Sequence, residues 1–349
     1  MRFNHKGFTL LEMLVVIALL SIVMIGLLNL LDTSSKISVT ETSLADTQEN
    51  VRFAAYHIMR TARMMGSSAM PFAANVGGSD RWFSGQLISN ASGTAATPFG
   101  SVDVVAGSDV LTLRGFFEIA PFFTDRTDLG ASAITIRESD GGEVINDNLN
   151  LVDLNGLQGR GIFFMGRMDQ GEYAVGQITA SSAVTGTAPN RTLTISFGTG
   201  TAQWSLLNPA GVTSPPIFDV YRVGVLESYT YYVDPDFTLQ RMRADADASG
   251  ARSEPVAVNI GSLQVALGVD SNDDNQVDAW MAAPTAAGVA GSRVIGMRIS
   301  VLGRTNREVD GWTEPAATFA VEDMNASDVN RSAKWRTIEV AAALRNYLF

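Results

Sequence analysis

The sequence predicts an α+β protein: a long N-terminal hydrophobic helix packed on a β-rich body of one or two mainly antiparallel sheets. Three observations predict it. Residues 8–31 read FTLLEMLVVIALLSIVMIGLLNLL, an almost unbroken apolar run. Apolar residues then recur every seven positions at Ile37, Leu44, Val51, Ile58 and Met65, a helical stripe. From residue 106 onward the pattern becomes short runs rich in Val, Ile, Thr and Tyr, separated by Gly, Pro, Asn and Asp, the pattern of strands and turns.

The apolar run is about 24 residues, which at about 1.5 Å per residue gives roughly 36 Å, enough to cross a bilayer core. Arg2, His5 and Lys6 precede it and Asp32 follows, so the positive side predicts a cytoplasmic N-terminus with everything after Asp32 outside. A secretory signal fits poorly, because the run is too long and no A-x-A-like site follows. An ordinary membrane anchor is the plainer alternative. The heptad stripe carries Gln48, Ala55 and Ala62 as companions, with Glu41, Asp46, Glu49, Arg52 and Arg60 interleaved. It reads either as a face packed on the protein's own body or as a coiled-coil seam. The helix is expected over residues 8–66, ending near Gly66-Ser67-Ser68. Gly26 and Asn29 are its soft points, since a helical Gly costs about 1 kcal/mol. No proline interrupts it before Pro71.

Residues 67–105 are rich in Gly, Ser, Ala and Asn and read as a linker; residues 106–349 read as the globular body. Its expected strands are Val110–Phe117, Ala133–Arg137, Gly161–Met165, Tyr173–Ala180, Thr192–Phe197, Phe218–Val233, Thr238–Met242, Leu263–Val269, Arg293–Arg304 and Thr337–Leu344. Asp234-Pro235-Asp236 predicts a hairpin turn. Gly156 to Gly161 reads as a turn before a strand, since its spacing is not that of a phosphate loop. The pairs Phe116-Phe117 and Phe122-Phe123 read first as core or interface aromatics.

Composition narrows the function. The chain has 349 residues, 46% of them hydrophobic, and a net charge of −11, with a pI near 4.7. That balance argues against nucleic acid, whose phosphates need basic stripes. Cysteine is absent and histidine is limited to His5 and His57. A thiolate site, a His-rich zinc site and a Ser-His-Asp triad are therefore not expected. No paired carboxylates stand out from the general acidity, so an enzyme is not expected.

One loop has metal-like spacing. In Asp270-Ser-Asn272-Asp-Asp274-Asn275-Gln276-Val277-Asp278, oxygens fall at positions 1, 3, 5 and 9 of a calcium loop, with the Gln276 carbonyl at 7. Against calcium, position 6 is Asn275 instead of Gly and position 12 is Met281 instead of Glu. The alternative is an Asp-rich turn without metal. No cofactor is required; Ca²⁺ ordering this loop is the one open possibility.

Glu12 is the most informative residue. A carboxylate inside a spanning segment costs about 2.5–3.5 kcal/mol even on lenient scales, so it needs a partner and a purpose. The string Gly7-Phe8-Thr9-Leu10-Leu11-Glu12 resembles the type IV pilin signature. That resemblance implies cleavage between Gly7 and Phe8 by prepilin peptidase, N-methylation of Phe8, and Glu12 as the assembly contact with a neighbouring subunit's amine. Further segments resemble the PilW-type minor pilins: Val51-Arg52-Phe53-Ala54 with Arg60 through Gly66, Gly107 through Leu113, Leu263 through Asp270, and Ala343-Leu344-Arg345-Asn346. Ala266 stands where that branch often has Tyr, and the branch's cysteine pair is missing. The resemblance implies a minor pilin that primes pilus assembly in a base or tip complex and supports piliation, twitching motility or adhesion. Its implied partners are prepilin peptidase, other minor pilins, the major pilin and a tip adhesin. It would be single-pass in the inner membrane with a periplasmic body, then move to the pilus and cell surface. A J-type pseudopilin of type II secretion is the nearest alternative; a membrane-anchored enzyme or ligand-binding module is a remoter one.

Overall fold

The computed structural model describes residues 9–65, 81–82, 85–97, 100–124, 129–147, 149, 157–167, 172–181, 184–199, 202–205, 207–208, 212, 214–247, 250–283, 293–309, 311–324 and 326–344. Helix α1 spans Leu10–Met64, 55 residues without a break. Its buried side chains begin at Leu44 and continue through Thr47, Val51, Ala54, Ala55, Ile58, Met59, Thr61 and Ala62. The heptad stripe is thus a face packed on the protein's own body. Two of its expected members lie elsewhere: Ile37 is 57% exposed, and Gln48 is exposed while Thr47 is buried in its place. A straight helix repeats every 3.6 residues, so a strict heptad drifts off the contact line. The helix ends where Met65 bridges to Gly115.

The strands are β1 (Arg81–Trp82), β2 (Gly85–Thr97), β3 (Gly100–Gly115), β4 (Phe122–Phe123), β5 (Ala133–Arg137), β6 (Ser139–Asp140), β7 (Glu143–Val144), β8 (Gly161–Met165), β9 (Tyr173–Ser181) and β10 (Thr192–Gly198). After a short helix α2 (Ala202–Ser205) come β11 (Arg222–Val233), β12 (Thr238–Asp247), β13 (Gly250–Val258), β14 (Ile260–Asp270), β15 (Ala279–Met281), β16 (Arg293–Arg304) and β17 (Trp335–Ala343). The larger sheet runs β1-β2-β3-β11-β8-β9-β10-β5, with β12 and β13 branching from β11; a second runs β15-β14-β16-β17. All pairings between these strands are antiparallel. The hairpin expected at Asp234 joins β11 to β12: the Asp234 carboxylate accepts the N–H groups of Asp236 (3.0 Å) and Thr238 (2.9 Å).

Strand β11 belongs to two lobes. Its first half pairs with β8, up to Leu226 opposite Gly161. Its second half pairs with β3, beginning with Glu227 opposite Gly115. The chain between β3 and this hand-over forms an inserted lobe with its own core, including Phe122, Ile134, Ile136, Ile162, Phe164 and Phe197. The main core joins α1 to both sheets, through Val51 and Ile58 on the helix, Leu111 and Tyr231 on the larger sheet, and Leu263 and Ile299 on the smaller.

The linker expected over 67–105 is corrected in part. Residues 85–97 and 100–105 are strand, forming a long hairpin from Thr97 opposite Gly100 to Gly85 opposite Leu113; residues 66–80 lie outside the described set. Backbone ladder bonds do not depend on side-chain type, and Asn90 (φ 48°) and Gly93 (φ 66°) supply the left-handed positions at the register shifts. Of the expected aromatic core, Phe116 and Phe122 are buried, whereas Phe123 is 47% exposed beneath the Arg222 guanidinium.

Candidate functional site

The exposed half of α1 is the first part of the site. From Leu10 to Leu31 its large apolar side chains are 48–84% exposed, and the helix is long and apolar enough to cross a membrane. Thr9 caps it: the Thr9 hydroxyl accepts the Glu12 N–H at 3.3 Å, and the Glu12 carboxylate accepts the Thr9 N–H at 2.9 Å. This reciprocal pair is a capping box, and Thr9-Leu-Leu-Glu12 carries its Thr-x-x-Glu spacing in the sequence, a signal the strand-and-stripe reading passed over. Glu12 also accepts the Thr9 hydroxyl at 2.9 Å. The carboxylate is thereby held in the first turn, where the helix dipole favours negative charge. Gly7 and Phe8 lie outside the described residues.

The seated half of α1 is the second part. Gly303 on β16 faces it so closely that a Cβ there would collide with Val51 Cγ2 and meet Thr47 Cγ2 at 2.7 Å. Small residues Ala54, Ala55 and Ala62 on the same face let the sheets approach. Two polar contacts fix the rotation of the helix: Thr47 donates to the Arg304 carbonyl at 3.2 Å, and the Thr61 and Tyr231 hydroxyls are bonded at 2.8 Å. His57 Nδ1 lies 3.2 Å from the same Tyr231 oxygen. Burial first, then Arg241 and Arg60, holds the His57 pKa below its ordinary value.

The two sheets are tied by side chains of β3. The N–H groups of Leu263 and Val265 on β14 face strand β3, because β15 covers β14 only at Leu267–Val269. Ser108 Oγ accepts the Leu263 N–H at 3.0 Å, and Asp109 Oδ2 accepts that of Val265 at 2.7 Å. Asp109 is fully buried. Burial pushes its pKa well above the ordinary carboxyl range against the pull of the Asn90 and Val265 N–H groups, and Asp323 and Glu322 add to the rise.

An ionic cluster sits where β11 changes lobes, with Arg160 and Glu227 buried and Glu118 at its exposed edge. Glu227 accepts the N–H groups of Phe117 (2.7 Å) and Glu118 (2.8 Å) and faces Arg160 at 2.8 Å. Glu118 accepts from Arg160 (3.2 Å), the Tyr229 hydroxyl (2.7 Å) and Arg243 (3.0 Å). Burial, then the charge of Glu118, pushes the Glu227 pKa up to about 7, against Arg160 and the two N–H donors. Burial also works to raise Glu118, but the Tyr229 hydroxyl and the two guanidiniums outweigh it and hold that carboxyl below its ordinary value. Residues so far apart in sequence gave no local signal of this cluster.

The acidic loop is self-bonded. Asp270 accepts the N–H groups of Asn272 (3.3 Å), Asp273 (2.8 Å) and Asn275 (3.0 Å). Asn272 Oδ1 accepts that of Asp274 at 3.0 Å, and Asp274 that of Gln276 at 2.8 Å. Asp278 accepts from the Ser271 N–H and hydroxyl at 2.8 and 2.6 Å, which hold its pKa below the ordinary value, hydroxyl first. Asn275 adopts φ 64°, the left-handed role its type allows. Among the described residues, no group of three or more His, Cys, Asp or Glu side chains is arranged to hold a metal ion; the expected set of Asp270, Asn272, Asp274, Gln276 and Asp278, two of them outside those residue types, lies together in this one loop.

Two protein-family models match. One, the prokaryotic N-terminal methylation motif, covers residues 2–28. The other, type IV pilus-assembly protein W, covers residues 226–346. No curated protein and no solved structure matches the chain. The second match begins at Leu226, where β11 leaves the inserted lobe, and it takes in every later strand. The methylation motif heads the helix, and the assembly-protein region holds the second sheet together with β12, β13 and most of β11 of the larger one. The chain is therefore similar to the type IV pilin-like proteins at its head and to type IV pilus-assembly protein W over its last third.

Proposed function

We propose that this chain is a low-abundance minor pilin that primes pilus polymerisation and keeps its body in a complex at the filament tip or base. The observation that carries the reading is the single helix α1, whose apolar half is exposed while its other half is seated under both sheets. Helix and body thus move as one unit, leaving an apolar half for lipid first and for neighbouring helices afterwards. Before assembly the chain spans the inner membrane once, its N-terminus cytoplasmic and its body periplasmic. Prepilin peptidase then cuts between Gly7 and Phe8, and Glu12 pairs with the amine of an adjacent subunit. A 349-residue chain with an extra lobe would crowd a helical lattice if every subunit carried it, and an end position avoids that. Other minor pilins, the major pilin and a tip adhesin are the corresponding partners, and piliation, twitching motility or adhesion the processes served.

The test is affinity isolation of sheared filaments, with mass spectrometry of the chain's N-terminus. Recovery of methylated Phe8 as first residue, together with other minor pilins, is expected; a chain that keeps Met1 or is missing from filaments refutes the proposal. A deletion that abolished type II secretion while piliation stayed intact would move the chain to the J-type pseudopilins.

A further inference from the structure

An open groove of about 610 Å³ lies between the helix and the body just past the apolar run, lined by α1 residues 33–43, residues 305–309 and Lys334. Its place along the helix is informative. Lys36 is five residues beyond Leu31, about 7.5 Å further along the axis, and the headgroup layer outside a bilayer core is roughly 5–8 Å deep. The groove therefore opens at headgroup level once α1 spans the membrane.

Its chemistry suits that level. Lys36, Arg307 and Lys334 bring three cations to one groove, against Glu41 and Glu308, in a chain whose net charge is −11. Ile37 and Val39 also line it and are 57% and 53% exposed. Apolar side chains beside cations are the signature of an interfacial surface. Lys36 is bonded to Asp32 at 2.9 Å, but both side chains are mostly exposed, so that pair is weak and screened. The Lys334 ammonium stands over the Trp312 ring at 5.3 Å, which holds it at the groove instead of loose in solvent. An arginine and two lysines on opposite walls suit a phosphodiester between them.

We propose that this groove binds the headgroup of an anionic phospholipid, such as phosphatidylglycerol, and so seats the body on the outer leaflet of the inner membrane before the chain enters a filament. The proposal rests on the membrane-anchored reading above. Bound lipid fixes the body's height over the bilayer, and leaving the membrane requires its release.

The experiment uses the full chain, delipidated in a maltoside detergent and titrated with phosphatidylglycerol under native mass spectrometry. One phosphatidylglycerol retained per chain is expected, in preference to phosphatidylcholine. Arg307→Gln with Lys334→Gln is expected to weaken retention about tenfold, the effect of losing charge-assisted bonds to phosphate. Arg307→Gln alone, which removes an exposed side chain, gives a smaller loss in a protein of unchanged circular dichroism. Arg252→Gln, removing an exposed cation on β13, leaves retention unchanged. Equal retention by wild type and the groove variants, or of both lipids, overturns the site. Displacement by millimolar inorganic phosphate overturns lipid as the occupant. Membrane sedimentation before extraction tests the anchor separately: a chain in the aqueous fraction defeats the membrane reading, whereas a membrane-bound chain that retains no lipid defeats only the groove.

Discussion

Asp109 on β3 accepts the main-chain N–H of Val265 on β14 at 2.7 Å, a side chain of one sheet completing the hydrogen bonding of the other. Its second oxygen takes the Asn90 N–H at 2.9 Å. Asp109→Ala strands both donors, and a buried unsatisfied group costs about 1–3 kcal/mol. A loss of about 3 kcal/mol in urea unfolding is expected. Asp109→Asn keeps one acceptor and should lose less.

Glu227 sets a pH dependence. Its pKa in the folded chain is raised to about 7 from an ordinary 4.5, so between those values the folded state holds more protons than the unfolded one. This contribution to stability is therefore largest below about pH 4.5 and falls as pH rises through about 7. Asp109, raised for the same first reason, acts in the same direction. Glu118 is lowered and acts oppositely, losing its contribution as pH falls below the ordinary glutamate range. His57, lowered first by burial, opposes them as pH rises through its ordinary range, so melting temperature should fall more steeply with pH between 5 and 8 in the wild type than in Glu227→Gln. An unchanged slope in the variant would show that Glu227 does not titrate in this window.

The seat of the helix is tested by overpacking. Gly303→Ala drives a methyl into Val51 Cγ2 and should cost about 1–3 kcal/mol. Val51→Ala alone should also destabilise, by opening a cavity. Combined, the two should cost less than their sum, because the added methyl occupies the space the valine vacates. Strict additivity would mean that the helix had shifted away instead.

Asp270 holds three loop N–H groups and is 1% exposed. Asp270→Ala should therefore lower stability by about 2 kcal/mol even in the presence of a chelator. The same melts with millimolar Ca²⁺ decide the calcium expectation. A rise in the wild type that is lost in Asp274→Ala carries it, and superimposable curves retire it.

Much of the fold was legible because its signals are local. The β16 range Arg293–Arg304 matches its expected bounds, and β8 at Gly161–Met165 does so as well: both are dense in apolar residues and lie inside their sheets. The hairpin β2–β3 was hidden by Gly, Ser, Ala and Asn, whose weak strand preference is outweighed by pairing along two long neighbours. Strand β13 was hidden by its polar character and by Pro255, which an edge position tolerates, since among the described residues β13 pairs with β12 alone. At the candidate site, Glu12 was legible because a carboxylate in an apolar run is conspicuous. The Glu118–Arg160–Glu227 cluster was not, because three ordinary surface residue types become one network, two of them buried, only when β3, β8 and β11 meet. The division of β11 between two lobes was equally invisible in a run that reads as one strand.

That division has a consequence for how the chain can change. Gly115 and Glu227 already face each other across a ladder, so the inserted lobe leaves and re-enters the body at neighbouring points. A short reverse turn could close the gap in its place, and a different lobe could be spliced in without altering the register beneath the helix. The inserted lobe is thus a cassette: its sequence can change while Val51 stays seated against Gly303 and Thr61 stays bonded to Tyr231.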